Sequence, residues 1–159
     1  EEGDLRYKTS MDTLYVVDDD TSYARHIKKY QSNPFANFDA DNNFIVFRYA
    51  DVLLMAAEAL GEGSQAYTYI NQIRTRAGLE DISSATDGSF EDHLMHERRI
   101  ELAFENHRWY DLIRFGKAVS TMNAQFSKQG FSITINDDDL VFPIPQREID
   151  LGLTQNSGY

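Results

Sequence analysis

The stretch Arg48-Tyr49-Ala50-Asp51-Val52-Leu53-Leu54-Met55-Ala56-Ala57-Glu58-Ala59-Leu60 decides the fold class. Its apolar residues recur at intervals of three and four, the spacing that places side chains on one face of an α-helix. Gly61 and Gly63 end this helix, and Ser64 is a suitable N-cap for a second one that stops at Gly78. Because the link is so short, helices over 47–60 and 64–77 are predicted to form an antiparallel hairpin. The residues predicted to face inward are Tyr49, Leu53, Leu54, Ile70 and Ile73.

The rest of the chain is predicted from shorter signals. Ser89 and Asp92 form a loose capping box for a third helix. Its apolar positions are Leu94, Ile100 and Phe104, with Leu102 and Ala103 on the flank. Further helices are predicted over 109–115 and 117–126, a strand over 131–135, a turn over 136–139, extended chain over 140–145 and a helical turn over 146–151. The fold class is therefore mostly α, with helical hairpins of tetratricopeptide type, long irregular segments and minor β.

The first 43 residues have a different character from the remainder. They are polar, rich in aromatic residues and without a clear helical period, apart from a possible short strand at 14–17 and a turn at 18–20. We therefore predict two regions. Residues 1–43 are an irregular segment that continues from a missing amino-terminal half, and residues 44–159 are a helical domain.

The composition excludes several classes of function. The 159 residues include 15 Lys and Arg against 26 Asp and Glu, a net charge of −11 that repels nucleic acid and anionic lipid. No cysteine is present, so neither disulfides nor thiolate metal sites are formed. Neutral ligands such as sugars or peptides remain compatible with this charge.

Three blocks of sequence carry a resemblance to a known family. The first is the stretch 48–59 followed by Ile70-Asn71-Gln72-Ile73-Arg74-Thr75-Arg76-Ala77-Gly78-Leu79. The second is His96-Glu97-Arg98-Arg99-Ile100-Glu101-Leu102-Ala103-Phe104-Glu105, leading into Arg108-Trp109-Tyr110-Asp111-Leu112-Ile113-Arg114-Phe115-Gly116. The third is Phe142-Pro143-Ile144-Pro145-Gln146-Arg147-Glu148-Ile149-Asp150, with Gln155-Asn156-Ser157-Gly158-Tyr159 at the end.

The order and spacing of these blocks resemble the carboxy-terminal portion of the SusD/RagB family, from about residue 44 onward. Ser157 stands where the family usually has proline. The resemblance implies a non-catalytic lipoprotein on the extracellular face of an outer membrane. It implies capture of oligosaccharides or polysaccharides for import by a TonB-dependent, SusC-like transporter, with peptide binding, as in RagB-like members, as the alternative. Membrane attachment would be through an amino-terminal lipid anchor that this chain lacks.

The charged second block offers the materials of an active site, so catalysis has to be weighed. Glu101 and Glu105 share one helix face at i and i+4, whereas a glycosidase needs carboxylates on opposite sides of its substrate. Arg98, Arg108 and Arg114 are suitably spaced to pair with Glu101, Glu105 and Asp111 at i and i+3. A structural ion-pair network is therefore preferred over catalysis.

Metal sites are weighed in the same way. His93, His96 and Glu97 match neither the zincin order nor its inverse, so solvated histidines are preferred over a zinc site. The acidic triplets 18–20 and 137–139 lack the alternating ligands of a calcium loop, and turns are preferred. No catalytic residue, metal ligand or cofactor is predicted.

Aromatic residues are the remaining candidates for sugar binding. Trp109, Tyr110 and Phe115 lie at helical spacing beside apolar neighbours, so core packing is preferred over a stacking platform. More exposed candidates, with nothing to order them into a site, are Tyr7, Tyr15, Tyr23 and Tyr30. The family's site is built mainly from the missing half, so no binding residue is assigned. Rival classes are a glycoside hydrolase-associated domain and a cytosolic tetratricopeptide scaffold, and neither explains the third block.

Overall fold

The computed structural model describes residues 1–18, 20–30 and 41–159. It divides into two compact units, Glu1–Arg108 (the first unit) and Trp109–Tyr159 (the second unit). The boundary predicted between residues 43 and 44 is a different division and stays a prediction. No helix in the described part of the chain is long and apolar enough to cross a membrane.

The first unit opens with more regular structure than the sequence predicts. Helix α1, Arg6–Ser10, leads into strand β1, Met11–Asp18, and strand β2, Asp20–Ile27. The strands form an antiparallel hairpin in which Met11 is paired with Ile27 and Asp18 with Asp20. The short strand predicted at 14–17 is confirmed within β1. Residues 11–27 of the segment 1–43, which was expected to be irregular, form the hairpin. Asp19 and the side chains of Tyr15 and Tyr23 lie outside the described part of the structure.

The predicted helical hairpin is confirmed. Helix α2, Tyr49–Leu60, and helix α3, Ser64–Arg76, are joined through Gly61, which has a φ of +70°. At the end of α3, Gly78 has a φ of +78°, and the Leu79 amide donates to the Arg74 carbonyl, which closes the last turn. Side chains from both helices form the buried core, namely Leu53, Leu54, Ala57, Ala66, Tyr67, Ile70 and Ile73.

One inward position was predicted wrongly. Tyr49 is 72% exposed. Helix α2 carries apolar residues around most of its circumference, including the exposed Val52 and Met55. A helix of this kind has no single apolar stripe, so periodicity alone cannot select the face that packs against α3.

Helix α4, Phe90–Glu101, completes the first unit and packs against both α2 and α3. The predicted capping box is present, because the Asp92 amide donates to Ser89 Oγ at 3.1 Å and the Ser89 amide donates to the Asp92 carboxylate. Leu94 is buried as predicted, and Leu102, predicted on the flank, is also buried, but Phe104 is 37% exposed. The helix ends at Glu101, so Phe104 lies in the following turn with a φ of +69° and not on the helix face.

The second unit contains shorter elements. Helices α5, Arg108–Arg114, and α6, Ala118–Lys128, correspond to the predicted pair. A 3-10 helix follows at Asp137–Leu140, and helix α7, Gln146–Ile149, corresponds to the predicted last turn. The overall class, mostly α with helical hairpins of tetratricopeptide type and minor β, is confirmed.

The strand predicted over 131–135 is wrong, because this segment is extended but pairs with no strand among the described residues. Its backbone is bound instead by a side chain of α6. The Asn123 amide donates to the Ile135 carbonyl at 2.9 Å, and the Ile135 N–H donates to Asn123 Oδ1 at 2.8 Å. We call such a two-bond contact between one side-chain amide and the backbone of one residue an amide clamp.

Another amide clamp joins the two parts of the third sequence block, residues 142–150 and 155–159. Gln155 clamps Ile144, with the Ile144 N–H donating at 2.7 Å and the Ile144 carbonyl accepting at 3.0 Å. Pro143 and Pro145 have no N–H, so the intervening Ile144 supplies the only backbone donor of the three. The Tyr159 hydroxyl adds a bond to the Val141 carbonyl at 2.9 Å. The two halves of this block are therefore bonded to each other.

Candidate functional site

The first unit contains a cluster of charged side chains, which is built on a row of carboxylates along α4 and the turn after it. Glu97, Glu101 and Glu105 follow each other at intervals of four residues, and they are 0%, 2% and 3% exposed, respectively. We call this row the glutamate ladder. A buried carboxylate is costly unless it is paired and hydrogen-bonded, so each of the three needs a cation.

The cations come from other segments of the first unit. Glu97 accepts from Arg6, and from Arg74 at 3.2 Å. Glu101 is shared by Arg48, by Arg76 at 2.5 Å and by Arg6 at 3.2 Å. The cations that pair with the ladder thus come from three places in the chain. Arg6 precedes β1, Arg48 precedes α2, and Arg74 and Arg76 lie on α3.

Glu105, beyond the end of α4, is held by two cations, Arg48 and Lys29. Arg48 Nε donates to Glu105 at 2.9 Å, and Lys29 Nζ donates to it at 2.5 Å. The Lys29 ammonium also donates to the Glu101 carbonyl at 2.6 Å and to the Ala103 carbonyl at 3.0 Å. Lysine near the carboxyl end of a helix satisfies its last carbonyls and favours its dipole. Lys29 therefore caps α4 as well as neutralising Glu105.

The electrostatic balance favours the ionised forms of Glu101 and Glu105. Burial alone raises the pKa of Glu101, but the hydrogen bonds and charges of Arg48 and Arg76 outweigh it, and the pKa lies below its ordinary value. The same competition, with Arg48 and Lys29 as the cations, lowers the pKa of Glu105. Burial is also the main influence on Lys29, whose pKa is lowered despite the attraction of Glu105.

This arrangement is poorly suited to acid–base catalysis. A general acid needs a pKa near the working pH, whereas the pKa values of Glu101 and Glu105 are shifted downward. Their oxygens are already occupied by guanidinium and ammonium groups. The geometry favours a structural role for the ladder, in agreement with the preference from sequence.

The pairing partners differ from those predicted by i and i+3 spacing. Arg98 donates to Asp51 of α2 at 2.9 Å, with both side chains buried. The Asp111–Arg114 pair, with 2.7 Å between nitrogen and oxygen, is confirmed. Sequence analysis missed the cations that form ion pairs with the ladder from distant positions in the chain, namely Arg6, Lys29, Arg48, Arg74 and Arg76. The available signal was the i, i+4, i+8 spacing of Glu97, Glu101 and Glu105, which marks one face of a helix.

His93 and His96, the candidates for a zinc site, both lie on α4. His93 Nε2 is 2.9 Å from the Asp87 carbonyl oxygen, and its Nδ1 is 3.5 Å from the Tyr67 hydroxyl. His96 Nε2 is 3.3 Å from a Glu1 oxygen, while Glu97 belongs to the ladder. Within the described ranges, no group of three or more histidine and carboxylate side chains is placed to hold a metal ion.

The acidic triplet at 137–139 forms hydrogen bonds with its immediate neighbour in sequence, Asn136. The Asn136 side chain accepts from the Asp138 amide at 2.7 Å, and the Asp139 carboxylate accepts from the Asn136 amide at 2.9 Å. These bonds cap the 3-10 helix, as the predicted turn requires. The first triplet includes Asp19, which lies outside the described residues.

The aromatic candidates whose side chains are described differ in their exposure. Tyr110 is 62% exposed, so core packing was the wrong interpretation for this ring, while Trp109 and Phe115 are half-buried. The Arg114 guanidinium lies 4.8 Å from the centre of the Phe115 ring. Tyr7 is exposed, and Tyr30 stacks on Phe44 with 6.2 Å between ring centres.

The first unit also contains a cavity of about 280 Å³ beside the ladder. One wall comes from α1 and the start of β1, through Tyr7, Ser10 and Met11. The opposite wall comes from the end of α4, through Ile100, Ala103 and Phe104. The cavity is lined mainly by apolar atoms, with Asp4 and Arg6 at its polar margin.

Comparison with known proteins places these features in a family. The SusD family model matches residues 18–159. SusD-like protein P38 of Formosa agariphila is 37% identical over 132 residues, which are 76% of this chain and 25% of that protein. SusD-like protein P2 of the same organism is 37% identical over 145 residues. The chain thus spans about a quarter of the length of these curated relatives.

Solved structures agree with the sequence relatives. Surface glycan-binding protein A from Bacteroides fluxus has a TM-score of 0.78 and 29% identity, over 100% of this chain and 38% of that one. A laminarin binding SusD-like protein has a TM-score of 0.73 and 30% identity, over 99% of this chain and 36% of that one. With a family match over residues 18–159 and relatives at 37% identity, the chain belongs to the SusD family.

Proposed function

We propose that the protein to which this chain belongs binds oligosaccharides or polysaccharides at the cell surface and passes them to a TonB-dependent, SusC-like transporter. The observation that carries the proposal is the match to solved glycan-binding proteins, with TM-scores of 0.73 and 0.78 over nearly all of this chain. The net charge of −11 supports a neutral ligand over a polyanionic one. Attachment to the outer face of the outer membrane through an amino-terminal lipid is part of the same proposal.

The proposed role is binding without catalysis. In the described residues, the strongest concentration of carboxylates is neutralised by arginines and Lys29 in the ladder. A glycosidase of the usual kind needs two carboxyl groups facing a substrate, one of them protonated at the working pH. The lowered pKa values of Glu101 and Glu105 are opposite to that requirement.

The binding proposal is tested on the full-length protein with a panel of ligands. Affinity electrophoresis and calorimetry against laminarin, starch, a pectic polyuronate and a mixed peptide library distinguish neutral glycan, acidic glycan and peptide. We expect binding to one neutral polysaccharide, no release of reducing sugar, and at most weak binding by residues 1–159 alone. Binding of peptides with no glycan bound contradicts the proposed ligand. Sugar release that disappears in Glu101→Gln contradicts the non-catalytic role.

The transporter proposal has a separate test. Affinity purification of the full-length protein from outer membranes is expected to recover a β-barrel of the TonB-dependent class. A gene for such a barrel is also expected beside the gene for this protein. Purification without any barrel, from membranes in which the glycan is still imported, contradicts this part of the proposal.

A further inference from the structure

A groove, here called the α2–α3 groove, lies between the start of helix α2 and the second half of helix α3. The short link through Gly61 makes the two helices antiparallel, so the first turn of α2 lies opposite the last turns of α3. The groove has a volume of about 310 Å³. Sites for small molecules usually occupy roughly 300–1,000 Å³, so this groove suits one or two sugar rings.

The lining of the α2–α3 groove combines apolar and polar side chains. Leu53 and Ile73, which belong to the buried core, supply apolar atoms. Tyr49 on α2, and Gln72 and Arg76 on α3, are exposed and line its two sides. Among the described residues that line the groove, none carries a carboxylate. Apolar surface with a few convergent polar groups is the usual composition of a small-molecule site.

Tyr49 supplies the groove with an exposed aromatic residue. It is 72% exposed, although the apolar pattern of α2 predicted an inward position. An aromatic face carries partial negative charge and attracts C–H groups, which carry partial positive charge. One face of a pyranose ring presents several such C–H groups. A tyrosine that is left exposed beside a groove is therefore suited to stack against a sugar ring.

The α3 side of the groove supplies hydrogen-bonding groups. Gln72 and Arg76 are four residues apart on α3, so they share one face of the helix. The Gln72 side chain offers both donors and an acceptor. Arg76 Nη2 donates to Glu101 at 2.5 Å, but the side chain is 58% exposed, which leaves other N–H groups of the guanidinium in contact with solvent. Sugar hydroxyls donate and accept hydrogen bonds, so they match this pair of side chains.

The charge balance around the groove favours a neutral sugar over an acidic one. The five cations of the ladder are paired with five carboxylates, namely Glu1, Asp4, Glu97, Glu101 and Glu105. The positive charge of Arg76 is therefore compensated by Glu101, and its remaining N–H groups act as donors without an excess charge. A guanidinium that is already held in place also loses less conformational freedom when a ligand binds.

We propose that the α2–α3 groove is a subsite for a neutral glycan, in which Tyr49 stacks against a sugar ring and Gln72 and Arg76 bind its hydroxyl groups. This inference rests on the proposed function and assigns residues of this chain to it. Because the groove holds one or two rings, it adds a single weak subsite to the affinity of the full-length protein. The weak binding expected of residues 1–159 alone agrees with such a subsite.

The test compares groove variants with matched variants outside the groove. Tyr49→Ala removes the ring, Tyr49→Phe keeps it, and Gln72→Ala removes the amide. Tyr110→Ala is the control for the tyrosine, because Tyr110 is also exposed but lies in the second unit. Gln65→Ala is the control for the glutamine, at an exposed position of α3 that does not line the groove. Calorimetry on the full-length protein measures affinity for laminarin, starch and a pectic polyuronate, and thermal unfolding measures stability.

We expect Tyr49→Ala to weaken binding of a neutral glycan about three- to tenfold, through loss of the stacked ring. Gln72→Ala is expected to weaken it by a similar factor of about three to ten, through loss of hydrogen bonds. Tyr49→Phe and the two controls are expected to stay within about twofold of the unmodified protein. Because all these positions are exposed, the midpoint of thermal unfolding is expected to stay unchanged.

The outcomes separate the subsite from the proposed function. If the unmodified protein binds a neutral glycan and Tyr49→Ala binds it equally well, the subsite is overturned and the proposed function stands. If the unmodified protein binds no glycan, both are overturned. A loss of affinity confined to the polyuronate overturns the assignment to neutral sugars. Gln72→Ala gives an independent answer if Tyr49→Ala does not fold, and unchanged affinity in that variant also overturns the subsite.

Discussion

In the first unit, carboxylates are buried against cations that come from distant parts of the chain, whereas the described contacts of the second unit join near neighbours. Amide clamps occur in both units, since Asn71 of the first unit clamps Ile82 with bonds of 2.8 and 2.9 Å. Arg6 reaches Glu97 across 91 positions and Arg48 reaches Glu105 across 57. Asn123 and Ile135 are 12 positions apart, and Gln155 and Ile144 are 11 apart. Charged groups therefore fasten separate segments together, and amide clamps shape single loops. Loss of a ladder contact is expected to affect the whole first unit, and loss of a clamp only its own loop.

The amount of buried apolar surface follows the same division. Among the described residues, the largest fully buried side chains are Leu54, Ile70, Ile73, Leu94 and Glu97, and all belong to the first unit. In the second unit, the buried residues among those described are Asp111, Leu112 and Ala118. A unit with so few buried apolar side chains depends on local hydrogen bonds. One such bond contributes less to the free energy of unfolding than one fully buried apolar side chain does.

Acidification is expected to have the largest effect, because it neutralises several ladder carboxylates at once. The pKa values of Glu101 and Glu105 lie below their ordinary values. Their contribution to stability is therefore complete above the pKa of the unfolded carboxyl, about 4.3, and is lost as the pH falls through the lower folded values. Urea unfolding of the full chain between pH 7 and pH 2 measures this loss. A Glu105→Gln variant is expected to show a shallower decline, and an equally steep one would contradict the assignment.

The second largest effect is expected from Glu101→Gln. Glutamine cannot balance the charges of Arg48 and Arg76, which remain close to the site. Breaking a buried pair from one side costs about 3–5 kcal/mol. The measurement is urea unfolding at pH 7, with Glu148→Gln as the control, because its partner Arg147 is exposed. The control is expected to change the free energy of unfolding by less than about 1 kcal/mol. Unchanged stability in Glu101→Gln, with loss of glycan binding, would make the ladder functional and our structural interpretation wrong.

Leu53→Ala tests the apolar side of the first unit. Leu53 is buried between α2 and α3, and truncation leaves a cavity that costs about 2–5 kcal/mol. Val52→Ala is the matched control, because Val52 is the exposed neighbour on the same helix and its loss is expected to cost about 0.5 kcal/mol. Thermal and urea unfolding give both values. Similar costs for the two positions would show that the outer face of α2 is also packed.

The sequence predicts features that depend on near neighbours. The α2–α3 hairpin, the Ser89–Asp92 capping box and the helical turn at Gln146 depend on residues within one or two turns of each other, and all three were predicted. The partners of the glutamate ladder were not, because spacing along one helix carries no information about which distant arginine will reach it. The strand at 131–135 failed for a related reason. Alternating residues indicate extended chain, but a strand also needs a neighbour, and Asn123 binds that backbone instead.

Asn123→Ala is expected to have a smaller and more local effect. It removes both bonds of one clamp and leaves the Ile135 N–H and carbonyl without that partner, at a cost of about 1–3 kcal/mol. Hydrogen exchange is expected to rise at Ile135 while α3 amides keep their protection. Gln125→Ala, at an exposed position of the same helix, is the control. A loss of protection that spreads into α3 would contradict the local character of the clamps.

The smallest effect is expected at the end of the second unit, from Gly158→Ala. Gly158 has a φ of +89°, and a Cβ built there would lie 2.5 Å from Asp138 Cβ, too close for two carbon atoms. Gly130 has a similar φ of +77° but open space around it, so Gly130→Ala isolates the conformational cost alone, about 1 kcal/mol. Gly158→Ala adds displacement of Asp138 from the capped 3-10 helix, and this displacement is expected to loosen the Tyr159–Val141 bond. Because these contacts are local, the difference between the two variants should appear in exchange of the amides at 138–141 and hardly at all in global unfolding. A large shift in global unfolding for Gly158→Ala alone would show that the carboxy-terminal residues stabilise more than their own loop.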